Sequence, residues 1–148
     1  YVWGLLLGMG YFFLLIGDSL FDINFNRFAQ FHKSHGKMAT LFTHPNSYPY
    51  DSSLIVADRE GNVKEWLLRE DKRPRWYKNR VNAGLHILSP KVLDFCGIEA
   101  DKVGTAGEDG RIITVDLDRQ ILGPLAGSGS LICYDSTEYV SDMGTPQR

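Results

Sequence analysis

The sequence predicts one α/β domain with a mixed, mainly parallel sheet and helices on its faces. A short apolar run, residues 12–16, stops at Gly17-Asp18, which is typical of a strand buried on both faces of a parallel sheet. An amphipathic helix and a second apolar segment follow it, and strand-like and helix-like segments go on alternating. The 148 residues are within the usual size of a single domain.

The first half of the chain contains each element type in turn. Phe25, Phe28 and Phe31 recur at helical spacing and the pattern ends at Gly36, which predicts a helix over about 25–35 with its aromatic stripe in the core. Residues 38–43 are the next strand. Segments 54–57 and 63–67 flank a turn containing Gly61 and predict a hairpin, so antiparallel strands join the sheet.

The second half continues the alternation. Residues 85–88 are strand-like, and Ser89-Pro90 is a suitable helix start. A strand at 112–115, a helix at about 118–125 and a strand at 131–134 complete the prediction. The loop at 44–50, rich in proline, asparagine and tyrosine, is expected near a ligand site.

Composition excludes several classes of function. The formal net charge of -2 offers no broad basic face for nucleic acid. Residues 1–16 are uncharged, but they fall short of the roughly 20 apolar residues of a spanning helix and contain three glycines, so no membrane partner is expected. Cys96 and Cys133 lack metal-like spacing and predict free thiols of a cytoplasmic protein, with a disulfide as the alternative.

Asp18 is the first candidate for chemistry. It follows an apolar strand and a glycine, which predicts a carboxylate at the carboxyl edge of the sheet, where α/β proteins usually bind ligands. Such a carboxylate can hold Mg²⁺, which is typically bound by one or two carboxylates together with substrate phosphates. The alternative is that Asp18 only caps the following turn.

Four segments of the chain, taken together, are more informative than Asp18 alone. In order, they are Leu15-Ile16-Gly17-Asp18-Ser19-Leu20, Val63-Lys64-Glu65-Trp66, Val81-Asn82-Ala83-Gly84-Leu85-His86-Ile87 and Asp142-Met143-Gly144-Thr145-Pro146. Their order and spacing resemble the sugar-phosphate nucleotidyltransferase family over essentially the whole chain. Residues 17–24 and 134–139 are most similar to the D-glycero-D-manno-heptose 1-phosphate guanylyltransferase and mannose 1-phosphate guanylyltransferase branch.

This resemblance implies a Rossmann-like sheet of the nucleotide-diphospho-sugar transferase type. It implies that a sugar 1-phosphate, heptose-like or mannose-like, is joined to a nucleoside triphosphate, expected to be GTP, with release of pyrophosphate. Asp18 and Asp142 match the family's two catalytic, metal-binding aspartates, which makes Mg²⁺ the expected cofactor. Such a transfer depends on positioning and charge neutralisation and requires no protein nucleophile.

Three residues match the family's substrate-binding segments. Asn82 and Gly84 match the part that lines the sugar pocket in the family. In such a pocket glycine would admit a close ligand, and the asparagine amide could donate and accept hydrogen bonds. A strand-entry turn is the alternative. Arg69 stands where the family commonly has a lysine for the sugar phosphate, and Leu68 replaces the acid often found before it, so a solvated Arg69 remains open.

Other polar and aromatic residues have plainer explanations. The basic run Arg73, Arg75, Lys78 and Arg80 lies near the expected phosphate side, but a solvated loop is the preferred interpretation. His32 and His35 are expected on a helix beside solvated lysines rather than in a zinc site, and Trp66, Trp76 and Tyr77 are expected to pack on the sheet.

The family's N-terminal glycine-rich loop, with its arginine and downstream lysine, is missing from these residues. Residues 1–148 are therefore expected to be the C-terminal part of one nucleotidyltransferase domain, truncated at the N-terminus and inactive alone. The alternative is a catalytically inactive remnant that binds sugar phosphate. Some relatives continue into a phosphatase domain, so a fused phosphatase is a further expectation for the full-length protein.

Overall fold

The computed structural model describes residues 2–7, 10–45, 52–68, 71–75 and 77–143, with only the backbone of residues 2–7 and 142. The strands are β1 Val2–Leu7, β2 Tyr11–Ile16, β3 Ser19–Asp22, β4 Ala39–His44, β5 Leu54–Ala57, β6 Val63–Leu67, β7 Val81–Leu88, β8 Leu131–Asp135 and β9 Tyr139–Asp142. The helices are α1 Phe25–His35, α2 Lys91–Phe95 and α3 Gly123–Leu125, the last directly preceded by a π-helical segment, Leu117–Leu122.

The main sheet has the strand order β1-β2-β7-β4-β8, and the β5–β6 hairpin joins it through β7. The predicted mixed sheet is confirmed, but its parallel share is smaller than expected. Strands β2, β4 and β8 run in one direction, yet β7 lies antiparallel between β2 and β4, so β4–β8 is the one parallel pair among the described strands. Because β7 runs opposite to both β2 and β4, it pairs antiparallel with each of them and they do not pair in parallel with each other.

Two hydrophobic clusters lie on opposite faces of this sheet. Alternate residues of β2 enter different clusters, Phe12 and Leu14 on one face and Tyr11, Phe13 and Leu15 on the other. Packing of β2 on both faces is therefore as predicted. Strand β1, which was not predicted from the sequence, precedes β2 and pairs with it antiparallel.

Helix α1 covers one face of the sheet and has the predicted bounds. The Asn24 Oδ1 accepts a hydrogen bond from the Arg27 N–H at 2.9 Å, and Gly36 ends the helix in the left-handed region with a φ of 64°. Phe28 is fully buried, and its ring lies 5.5 Å from that of Phe42 and 5.2 Å from that of Tyr134. The aromatic stripe is core, as its spacing indicates.

The opposite face is covered by the second half of the chain. Val92 of α2, Ile121 and Leu122 of the π-helical segment and Leu125 of α3 are buried there. The helix predicted at about 118–125 is thus present, but its first part has π-type hydrogen bonding. Pro124 has no N–H to donate, so a regular α-helix cannot continue through it with all its hydrogen bonds.

The strand predicted at 112–115 does not form. Ile112 makes one isolated antiparallel bridge with Ala106, and its side chain is 59% exposed. A strand needs a neighbour that satisfies its backbone groups, and local apolar character does not provide one. None of the helices in the described part of the chain is both long and apolar enough to cross a membrane.

A second, two-stranded sheet was not anticipated from the sequence. Strand β3 pairs antiparallel with β9, from Ser19 opposite Asp142 to Asp22 opposite Tyr139. It begins directly after the turn that ends β2. This small sheet brings together Ser19 and Asp142, which belong to the first and the last of the four segments that carry the family resemblance.

Candidate functional site

Asp18 lies in the turn between β2 and β3, and its side chain is exposed. The position agrees with the prediction that Asp18 follows a strand of the main sheet. It lies at the edge where the carboxyl ends of β2, β4 and β8 meet, although the strand directly beside β2, β7, is antiparallel to it. An exposed carboxylate at a strand end is accessible to a hydrated cation or a phosphate-bound one.

Asp142 is brought next to this turn by β9. Ser19 is the direct partner of Asp142 in the ladder, and the Met143 N–H donates to the Asp18 backbone oxygen at 2.8 Å. The backbones of Asp18 and Asp142 are therefore neighbours, although the residues are far apart in sequence. Among the side chains that the structure describes, no group of three or more His, Cys, Asp or Glu forms a metal cluster.

Asn82 and Gly84 lie within β7, not in a turn that precedes it. Between the pairs Leu41–His86 and Thr43–Asn82, β4 has one residue and β7 has three, so β7 carries a bulge there. Gly84 is in this bulge with a φ of 78°. The left-handed conformation explains the glycine without a ligand.

At Gly84 the bulge of β7 lies close to Ile16, two residues before Asp18. A Cβ added at Gly84 would lie 2.8 Å from the Ile16 Cδ1 and 3.1 Å from the Ile16 Cβ. Ile16 is the last residue of β2, immediately before Gly17-Asp18. The observed close approach at Gly84 is thus to Ile16, and approach of a sugar stays a prediction.

The Asn82 side chain is held by a network that the sequence did not reveal. Its Oδ1 accepts from the Gly84 N–H at 3.1 Å and lies 2.9 Å from the His86 Nε2. The His86 side chain is fully buried, and burial lowers its pKa to about 4 against a smaller opposing effect of the Leu14 backbone. A histidine in an apolar strand, four residues after an asparagine, was the available signal.

Arg69 lies outside the described residues. The hairpin that leads to it is described: Leu67 pairs with Leu54, and Leu54 pairs with Val81 at the start of β7. Strand β5 therefore lies between the end of β6 and the start of the strand that carries Asn82. Leu68 is half-buried, and its N–H donates to the Asp71 Oδ2 at 2.7 Å.

In the basic run, Arg75 and Lys78 are exposed, as the solvated-loop interpretation predicted, whereas Arg73 and Arg80 are half-buried. The Lys78 Nζ lies 2.8 Å from one oxygen of Asp135, and the Arg80 Nε lies 2.5 Å from the other. Arg73 donates to the Ser52 backbone oxygen at 2.6 Å. Because Lys78 and Arg80 share the single negative charge of Asp135, the run offers less free charge to a phosphate than its sequence indicates.

A cavity of about 420 Å³ lies beside this ion pair. The cavity is lined by the hairpin turn and, among other residues, by Tyr77, Lys78, Arg80 and Asp135.

Trp66 is buried, as its packing interpretation predicted. Trp76 and most of the predicted ligand-binding loop, residues 46–50, fall outside the described residues.

The histidines of α1 have a structural arrangement. The His32 Nδ1 and the His35 Nε2 lie 2.7 and 2.9 Å from the Thr40 Oγ1, and His32 is buried. Burial lowers the pKa of both histidines, to about 4 for His35. Cys96 and Cys133 are free, as predicted, and burial raises the pKa of Cys133 to about 12.

Comparison with solved structures shows the fold. A Bacillus anthracis protein assigned as a glucose-1-phosphate thymidylyltransferase, in complex with sucrose, matches 95% of this chain with a TM-score of 0.69 and 15% identity. HddC from Yersinia pseudotuberculosis matches 93% with a TM-score of 0.63 and 15% identity. The chain covers 52% of each. It therefore has the fold found in the corresponding part of those proteins.

Sequence comparison points to the same group. Over 92% of its length the chain is 24% identical to the mannose-1-phosphate guanylyltransferase catalytic subunit beta of Drosophila pseudoobscura pseudoobscura and 28% identical to the mannose-1-phosphate guanyltransferase of Candida albicans. It spans about a third of those relatives' length. No family model matches the chain. The predicted resemblance to sugar-phosphate nucleotidyltransferases is confirmed.

Proposed function

We propose that this chain carries the sugar-phosphate side of a nucleotidyltransferase that makes a nucleotide sugar. The substrates would be a mannose-like or heptose-like sugar 1-phosphate and GTP, and the second product would be pyrophosphate. The observation that carries this proposal is the β3–β9 pairing, which makes Asp18 and Asp142 backbone neighbours at the end of β2. The named activities of the relatives support the same chemistry.

Asp18 and Asp142 would hold Mg²⁺. Two aspartates on adjacent backbone segments, one with an exposed side chain, suit a cation that takes hard oxygen ligands and shares them with substrate phosphates. When bound, the cation would neutralise phosphate charge during the transfer. The Asp18 carboxylate is free to turn towards such a ligand because the turn leaves it in solvent.

The bond changes in the proposed transfer balance without a covalent enzyme intermediate. A phosphate oxygen of the sugar 1-phosphate forms a bond to the α-phosphorus of GTP, and the bond from that phosphorus to the bridging β-oxygen breaks. Pyrophosphate leaves with the electron pair. The protein's own task is to hold the two phosphate groups in line and to exclude unproductive orientations.

The sugar side of the site would be formed by β7 and the end of β6. Asn82 is half-buried, two residues before the Gly84 that lies against Ile16, and can offer its amide to the sugar phosphate. Gly84 keeps β7 close to Ile16, and Arg69 would meet the phosphate. The choice of GTP is supported by the guanylyltransferase relatives and by the structure of HddC complexed with GMP-PN.

A second candidate is a sugar-phosphate-binding module without catalysis. It is favoured by one observation: no glycine-rich loop accompanied by an arginine and a lysine occurs in these 148 residues. Cytoplasmic localisation, the absence of a nucleic-acid partner and a fused phosphatase domain remain predictions for either candidate.

Calorimetry on the purified chain and a pyrophosphate-release assay on the full-length protein that contains it distinguish the candidates. The chain is titrated with mannose 1-phosphate and with heptose 1-phosphate, and pyrophosphate is measured for the full-length protein with GTP and Mg²⁺. Release that Asp18→Asn abolishes and Asp101→Asn, an exposed turn residue, leaves intact supports the enzyme. Binding without release supports the module, and absence of both refutes both.

A further inference from the structure

The Asn82 amide is the one predicted sugar-binding group whose orientation can be worked out from its contacts. We propose that His86 is a positioning residue that fixes this amide with its oxygen turned inward, so that Nδ2 alone is offered to the sugar phosphate. This inference rests on the proposed function for the identity of the ligand. The positioning itself follows from hydrogen bonds within β7.

The orientation of the amide follows from the Gly84 contact. A backbone N–H can only donate, so the Asn82 atom 3.1 Å from the Gly84 nitrogen is the oxygen, not the amino group. The bulge makes this contact possible, because it turns the Gly84 N–H back towards the side chain two residues earlier. The two ends of the amide are therefore distinguishable.

The protonation of His86 follows from the same oxygen. The Asn82 Oδ1 can only accept, and the His86 Nε2 lies 2.9 Å from it, so Nε2 must carry a hydrogen. With the ring fully buried and its pKa near 4, His86 is neutral at pH 7 and has this single ring hydrogen. The unprotonated Nδ1 can only accept, and no donor reaches it within the described part of the chain.

The consequence is a restriction on what Asn82 can recognise. Its Oδ1 has two lone pairs, and Gly84 and His86 use both. Its Nδ2 donates to none of the described residues, and the side chain is half-buried, so two donors remain for a ligand. Asn82 therefore recognises acceptor oxygens of a sugar or phosphate, rather than both donating and accepting as its residue type suggests.

The first test is nitrogen NMR on the wild-type chain with ¹⁵N-labelled histidine and asparagine. We expect His86 to show the Nε2-protonated neutral tautomer at pH 7. We also expect the Asn82 Nδ2 resonances to shift when mannose 1-phosphate is added. A ring protonated at Nδ1 or on both nitrogens would overturn the positioning.

The second test compares His86→Gln with His86→Leu. Glutamine can place an amide donor near the former Nε2 position, whereas leucine cannot. The affinity for mannose 1-phosphate should fall about tenfold in His86→Leu, as expected for the loss of about one hydrogen bond, and much less in His86→Gln. Ile87→Val is the control for disturbed packing in β7, because it changes a buried neighbour without touching the amide.

The outcomes separate this inference from the proposed function. Equal affinities of wild type and a folded His86→Leu variant would refute the positioning role. If His86→Leu does not fold, the tautomer of His86 measured in the wild-type chain still tests the positioning role. If wild type binds no sugar phosphate, the proposed function and the ligand of Asn82 both fail, while an Nε2-protonated ring still supports the fixed amide.

Discussion

Replacing Gly84 with alanine should be among the most damaging single-methyl changes in this chain. The new Cβ would meet the Ile16 Cδ1 at 2.8 Å and the Ile16 Cβ at 3.1 Å. The first atom can rotate away, but the second is tied to the backbone of β2. Crowding of this kind costs about 1–3 kcal/mol in packed structures. The positive φ of 78° adds about 1–2 kcal/mol for a residue with a Cβ.

The two contributions can be separated with a matched control. Gly129 has a φ of 81°, and a Cβ added there would have nothing within 4 Å. Gly129→Ala should therefore lose only the backbone part, about 1–2 kcal/mol, while Gly84→Ala should lose about 2–5 kcal/mol. Equilibrium urea unfolding of both variants measures this difference directly. Equal losses in the two variants would refute the argument that β7 is pressed against Ile16.

Three further predictions concern the site, the core and pH. Asp142→Asn should lower pyrophosphate release by on the order of 100-fold in an active protein with an unchanged circular dichroism spectrum, and near-normal turnover would contradict its role. Phe28→Ala should destabilise the fold by about 3–5 kcal/mol in urea unfolding, whereas Phe95→Ala, at a position 48% exposed, should cost far less. Burial lowers the pKa of His86 in the folded chain to about 4 from an ordinary value of 6.5, so the stability that depends on the neutral ring is complete above pH 6.5 and is lost as the pH falls towards 4. Unfolding free energies of wild type should therefore fall by about 3 kcal/mol more than those of His86→Gln over that range, and parallel pH curves would count against it.

Elements with strong local signals could be predicted from the sequence. The bounds of α1 follow from its aromatic spacing and from a left-handed glycine at its end. The β5–β6 hairpin follows from two apolar segments around a turn with Gly61, whose φ is 89°. In each case the deciding interactions are between residues close together in the chain.

The arrangement of the candidate site could be predicted only in part. Motif matches identified Asp18, Asp142, Asn82 and Gly84, but they did not show that a separate β3–β9 ladder joins the two aspartates. They also did not show that the oxygen of Asn82 is already occupied. A residue type indicates which hydrogen bonds are available, whereas neighbouring groups decide which of them remain for a ligand.

The sequence by itself determined the α/β class, most of the strand and helix segments, and the resemblance to sugar-phosphate nucleotidyltransferases. Only the tertiary structure decided that β7 lies antiparallel between β2 and β4, that residues 112–115 form no strand, and that His86 reaches Asn82. The physical reason is the separation along the chain of the residues that interact. Periodicity and turn chemistry depend on neighbours along the chain, while strand order, bulges and side-chain partners depend on contacts between segments that meet only in the folded protein.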